Sequence, residues 1–343
     1  MKRTLCAIAA LCLAPALAAH AQTADGDVPA LPVTADMKSP VPIPPAEKSL
    51  PTITAKEWFK VSDDGMQLEG PVFAPNGDLI FCEVFEGRIF RLTPDMQLSE
   101  VLGKNELRPA GIEVDKDGTL YVAELGNFDD EGSVVKVSPD GASVEEIVPR
   151  SAGYLADDLV FDRDGGFYFT DFKGGSTRPD GGVYYVGPEG GEPVQVIPNV
   201  AIGNGIGLSP DGKTLWFTEL AKGRLHKVSL ANATTVAPFG AVVAYQFTGP
   251  APDSLRTDQD GNVYVAMYTQ GRIMVFNKNG FPIGQILVPG RDEGHNLRTT
   301  SMVIKPGTDD MYIFTNDWDG GEGSTIFHAK ALAPASTPYA YQD

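Results

Sequence analysis

From Pro51 onward, apolar and polar positions alternate in short runs, and the runs are separated by tight polar turns. The stretches "DLIFCEV", "TLYVAEL", "GFYFTDF", "TLWFTEL", "NVYVAMY" and "DMYIFTN" each follow such a turn. A further run usually comes after each: "GRIFRLT", "SVVKVS", "GGVYYVG", "GRLHKVS", "GRIMVFN" and "STIFHAK". Their β-branched and aromatic content, with a period near two, predicts strands, and no convincing amphipathic helix intervenes. The turns are Asn76-Gly77, Asp117-Gly118, Asp164-Gly165, Asp211-Gly212 and Asp260-Gly261, with a degenerate sixth at Pro306-Gly307. Glycine suits them because it accepts the positive φ a tight turn requires. Successive turn glycines lie 41, 47, 47, 49 and 46 residues apart. Several strands per unit at that period predict an all-β fold, a six-bladed β-propeller over residues 51–343. The segment "PTITAKEWFKV" is expected to add a strand that closes the ring with the last blade.

The repeat also fixes a register. Eight residues before each turn glycine stand Glu69, Ala110, Asp157, Asn204, Asp253 and Thr299. Equivalent positions in a propeller lie on a circle about its axis, so with the first strand innermost these side chains surround one mouth of the channel. Five carry oxygen and three are carboxylates, where composition alone would place roughly 0.8 acids. Converging carboxylates repel one another and lose hydration unless a cation compensates them. An oxygen-only set suits Ca²⁺ better than Zn²⁺, and His226, His295 and His328 show no ligand spacing. Capping of loop amides is the alternative that needs no metal. The second strands return to the same mouth and end at Glu83, Glu124, Asp171, Glu219, Met267 and Asn316, a second acidic collar. Such acids either accept hydrogen bonds from loops or, for Asp171 and Glu219, orient ligands or substrate. Tyr268 beside Met267 is a candidate pocket wall or a core residue.

The first residues have a different pattern. "MKR", the apolar "TLCAIAALCLAPALAA" and Ala19-His20-Ala21 predict a secretory signal peptide over residues 1–21 and export, to a bacterial periplasm or beyond. Residues 22–50 are proline-rich and aromatic-poor, and are expected to form an extended leader without its own core. Loss of the signal peptide removes Cys6 and Cys12, leaving Cys82 as a lone, buried thiol. The remaining chain has 25 basic and 45 acidic residues, a net charge of −20. That balance disfavours nucleic acid and anionic membrane as partners. No later apolar run approaches the roughly 20 residues of a bilayer span.

The stretches "LEGPVF", "DDLVFD", "NGIGLSPDGKTLWFTE", "PDSLRTDQDGNVYVAMYTQGR" and "GRDEGHNLR" resemble the SMP-30/gluconolactonase/LRE-like family of six-bladed propellers. Within that family the chain looks most like the Drp35 lactonases, through "GGFYFTDFKGGSTRPDGGVYYV" and "GQILVPGRDEGHNLR" as well. The resemblance spans residues 52–330. It implies a catalytic calcium held by Glu69, Asp157, Asn204, Asp253 and Ser254, with Asp253 doubling as acid/base. Four of these are ring residues, and Ser254 adjoins the last. It also implies a structural calcium at Asp130, Gly132 and Tyr154, but Pro149 and Ala152 stand where the family has an acid and a threonine. A second ion is therefore not expected.

The implied reaction is hydrolysis of a small-molecule lactone, with the carbonyl polarised by the metal and Asp253 moving the proton. No G-x-S-x-G elbow is present, so no acyl-enzyme is expected. "PGRDEGHNLRTT" brings His295 and Arg298 towards the mouth, either to meet an oxyanion or product carboxylate or to pair within their own loop. Two other possibilities stay open: an esterase or phosphotriesterase using the same ion, and a calcium-stabilised propeller that binds a ligand or protein without turnover.

Overall fold

A computed structural model describes residues 30–342. The signal peptide, the start of the leader, Cys6 and Cys12 lie outside the described residues. Six sheets follow one another along the chain, each built from consecutive antiparallel strands, with an N-terminal strand added to the fifth and to the sixth. Their innermost strands are Leu68–Phe73, Pro109–Val114, Ala156–Phe161, Gly203–Leu208, Pro252–Thr257 and Arg298–Ile304. Each packs against the next, and the last packs against the first, so the ring is closed. The protein is a six-bladed β-propeller. All six turn glycines adopt positive φ, from +69° at Gly212 to +89° at Gly77. They join the inner strands to the second strands at one face of the disc, leaving the heads of the inner strands at the other.

The apolar core is divided between the blades, because each sheet buries both faces against its neighbours. Leu68, Phe81 and Phe90 of the first blade meet Val303, Phe314 and Ile326 of the sixth. Trp216 and Leu225 of the fourth likewise meet Leu255 and Phe276 of the fifth.

Closure uses two N-terminal strands where the sequence suggested one. Lys56–Ser62 pairs antiparallel with Gly323–Lys330 to complete the sixth blade, and Thr52–Thr54 pairs parallel with Pro282–Leu287 on the fifth. The end of the leader also docks. Glu47, 2% exposed, forms an ion pair of 2.7 Å with the fully buried Arg272 and accepts a hydrogen bond of 2.8 Å from the Tyr245 hydroxyl. Arg291 donates to the Val41 carbonyl. At the other end of the chain, residues 335–342 cross the face opposite the inner-strand heads. Ser336 Oγ donates to the Asp258 carbonyl (2.8 Å), the Tyr339 ring lies 4.8 Å from that of Phe161, and the Tyr341 hydroxyl donates to the Ala74 carbonyl (2.7 Å). This strap helps to line a 660 Å³ cavity at the ends of the inner strands. Among the described residues, no helix is long and apolar enough to cross a membrane.

Candidate functional site

The six inner strands break register with their partners close to the ring positions, as between Glu69 and Val72 or between Gly203 and Ile206. A bulge leaves an extra residue unpaired and re-aims its side chain, here at the head of every inner strand. Small residues then let adjacent strands close up. A Cβ on Gly205 would stand 2.4 Å from the Leu255 nitrogen and 2.6 Å from the Asp253 carbonyl oxygen, so only glycine fits between Asn204 and Asp253.

Glu69, Asp157, Asn204, Asp253 and Ser254 are all brought to this ring and all buried, between 4% and 7% exposed. Burial is the largest influence on the three carboxyls and pushes each well above its usual range. Mutual repulsion adds to it: Asp253 and Asp157 act on Glu69, and Asp253 acts on Asp157. A hydrogen bond from Asn204 works the other way on Asp253. Glu69 Oε2, Asn204 Oδ1 and Thr299 Oγ1 are buried without a hydrogen-bond partner. Three orphaned oxygens among converging carboxylates are the arrangement that a hard cation would satisfy, so the donor set fits Ca²⁺. Below the ring, Arg256 pairs with the buried Asp158 at 2.9 Å and offsets the charge of Glu69.

The second-strand carboxylates serve the loops. Asp171, 2% exposed, accepts the Leu155 N–H at 3.0 Å, two residues before Asp157. Glu219, also 2% exposed, accepts the Ala201 N–H at 3.0 Å, three residues before Asn204. In the sixth blade the equivalent is Asp317 rather than Asn316: it accepts the Asn296 N–H at 3.0 Å and bonds the His295 ring at 2.8 Å. Each acid thus fixes the approach to an inner strand of its own blade.

Tyr268 and Arg298 lie side by side, and Tyr268 is within electrostatic reach of the ring. The negative charges of Asp253 and Glu69 reach the Tyr268 hydroxyl, whose pKa is raised chiefly by burial. The Arg298 guanidinium lies 6.0 Å from the Tyr268 ring and 5.1 Å from that of Trp318, and is tethered to Asp319 at 2.9 Å. The aromatic line continues through Phe85, 5.4 Å from Trp318, to Phe128 at 6.1 Å. Phe85, Phe128 and Trp318 are exposed, a rim that the repeat gave no reason to expect because they sit in loops of unequal length. His295 stands apart with Asp317 and Glu322, their ligand atoms within 4.8 Å of one another. Asp317 there is already engaged by the Asn296 and Glu322 N–H groups.

The family model for the SMP-30/Gluconolactonase/LRE-like region matches residues 68–316. A Staphylococcus saprophyticus protein named Lactonase drp35 is 46% identical over 319 residues, covering 92% of this chain and 98% of that one. The Staphylococcus aureus protein of the same name is 44% identical over 320 residues, with the same coverage. The chain belongs to the SMP-30/gluconolactonase/LRE-like family. Solved structures share the fold. A calcium-binding regucalcin from Agrobacterium tumefaciens superposes with a TM-score of 0.68 at 18% identity, covering 85% of this chain and 99% of its own. A Xanthomonas campestris gluconolactonase gives 0.65 at 18% identity, covering 82% and 94%.

In this family member the loops named for a second calcium also meet. The Gly132 N–H donates to the Tyr154 carbonyl at 2.8 Å, and Asp130 accepts from the Asn127 side chain at 3.1 Å. The Tyr154 ring turns into the blade, 4.7 Å from Tyr184. Two basic side chains reach this junction. The Lys173 ammonium donates to the Gly153 carbonyl, and Arg150 pairs with the buried Glu124 at 3.1 Å. Among the residues that sequence reasoning passed over, Gly205 had a visible signal. "EGPVF", "AGIEV" and "NGIGL" each place glycine directly after a ring position. The Asp158–Arg256 pair and the aromatic rim had none.

Proposed function

We propose that the protein is a lactonase that opens cyclic esters at a divalent cation, Ca²⁺, held on the propeller axis by Glu69, Asp157, Asn204, Asp253 and Ser254. The observation that carries this is the buried ring of three carboxylates with the orphaned Glu69 Oε2 and Asn204 Oδ1. The 44–46% identity to proteins named lactonase over most of the chain supports the same reaction. When bound, the cation supplies positive charge for the lactone carbonyl oxygen and for an attacking water. Asp253 takes the proton that the water loses and returns it to the ring oxygen as the C–O bond breaks. Tyr268, bordering Asp253 and Glu69, walls the pocket, and the Arg298 guanidinium meets the carboxylate of the ring-opened acid. The rim of Phe85, Phe128 and Trp318 favours flat apolar lactones over polyhydroxylated ones. The N-terminal pattern supports export, so the reaction would take place outside the cytoplasm.

The test is dihydrocoumarin hydrolysis by purified protein before chelation, after chelation and after Ca²⁺ add-back. Activity should vanish with chelator and return with Ca²⁺. Asp253→Asn, with an unchanged circular dichroism spectrum, should lower kcat by about 10²- to 10⁴-fold. Hydrolysis that persists after complete chelation would overturn the proposal.

A further inference from the structure

Asn204 and Asp253 are each held by the main-chain carbonyl, through a threonine hydroxyl of the blade before. Thr218 Oγ1, on the second strand of the fourth blade, donates to the Asp253 carbonyl at 2.8 Å. Thr170 Oγ1, at the same place in the third blade, donates to the Asn204 carbonyl. Both threonines are fully buried. Each stands immediately before a collar acid, Asp171 or Glu219, and Cys82 holds the same place before Glu83. There the thiol is shared between the Pro109 and Ala110 carbonyls of the next blade, 3.2 and 3.7 Å away, and the Glu69 carbonyl of its own, 3.3 Å away. The second and fifth blades have Ala123 and Ala266 at this position, with nothing to donate. Asn204 is thereby fixed from two sides, its carbonyl by Thr170 and its approach loop by Glu219. Asp253 is locked by Thr218 on one side and by the close packing of Gly205.

We infer that Thr218 and Thr170 are positioning residues for the reaction, setting where the side chains of Asp253 and Asn204 lie on the axis. The inference rests on the lactonase proposal. Neither threonine touches the substrate; each acts through the backbone of the neighbouring ring residue. An inner strand freed of this bond relaxes along the channel, and a misplacement near 1 Å of a reacting group costs on the order of 10²-fold in rate.

The experiment compares Thr218→Val, Thr218→Ser, Thr170→Val and a control, Thr257→Val. Thr257 Oγ1 also donates between the fourth and fifth blades, to the Leu208 carbonyl at 2.7 Å, but at the far end of the inner strand. Dihydrocoumarin kinetics, Ca²⁺ titration calorimetry and thermal unfolding are read for each. Thr218→Val should lose about 10- to 100-fold in kcat with KM unchanged, and Thr218→Ser should recover most of it. Thr170→Val, which loses the bond to Asn204 and the Asp158 N–H it accepts at 3.2 Å, should weaken Ca²⁺ binding by about tenfold. Thr257→Val should shift the melting temperature like Thr218→Val yet keep kcat. The inference is overturned if Thr218→Val keeps its kcat, or if Thr257→Val loses as much. A wild-type protein that neither binds Ca²⁺ nor hydrolyses the lactone sinks the lactonase proposal, and the positioning roles fall with it.

Discussion

A carboxylate buried at the end of a second strand ionises or stays neutral according to what surrounds it, and Glu219 and Asp171 resolve this in opposite ways. Burial pushes both up. For Glu219 it is outweighed by the His226 ring at 2.9 Å, the Ala201 N–H and Lys222 at 3.0 Å, and the pKa falls to about 2. Asp171 has the Leu155 N–H and the charge of Lys173, burial wins, and the pKa rises to about 6. The signs follow by linkage. Glu219, lowered on folding, stabilises the protein above the ordinary glutamate pKa, and that stability drains away as pH falls towards 2. Asp171, raised on folding, retains its proton when folded but not when unfolded, so stability declines as pH rises from about 4 to about 6. Melting temperatures of Glu219→Gln and Asp171→Asn, taken relative to wild type between pH 3 and 7, should therefore diverge in opposite directions. Parallel curves would show that neither group is shifted as described. Ring residues such as Asn204 were legible because a repeat converts spacing into position around an axis. The partners of Glu219 were not, since loops bring Ala201 and Lys222 to it and the register of the neighbouring strand brings His226.

Strands and their order were legible for a related reason: alternation and turn glycines act locally, and six similar units reinforce one another. The leader obeys neither rule. Its proline-rich composition predicts a chain without a core of its own. What composition cannot show is that Glu47 meets Arg272, whose guanidinium is fully buried and whose Nη2 has no hydrogen-bond partner. Removing one member of a buried pair strands the other charge, at a cost of about 3–5 kcal/mol, whereas replacing both by apolar groups is often close to neutral. Glu47→Gln should therefore lower the urea midpoint strongly, and so should truncation to Pro51. Glu47→Leu combined with Arg272→Met should recover much of the loss. Equal midpoints for wild type and Glu47→Gln would mean that the Glu47–Arg272 pair contributes nothing to stability.

At the scale of the molecule, the propeller separates what holds it shut from what its mouth does. The N-terminal strands clamp the fifth and sixth blades, and the C-terminal strap ties the fifth, third and first together across the opposite face. Between that strap and the carboxylate ring lie the 660 Å³ cavity and the Asp158–Arg256 pair. If ring geometry is set locally, by bulges, glycine contacts and the threonine hydrogen bonds, the strap can be lost without disturbing it. A chain ending at Pro334 forfeits the Ser336 and Tyr341 hydrogen bonds and the Tyr339 packing, together about 2–4 kcal/mol. Its melting temperature should fall by several degrees, while Ca²⁺ affinity and kcat on dihydrocoumarin stay at wild-type values. A fall in kcat or affinity with the fold intact would instead place Arg256 in the path between the two faces, because its guanidinium lines the cavity while its charge reaches Glu69.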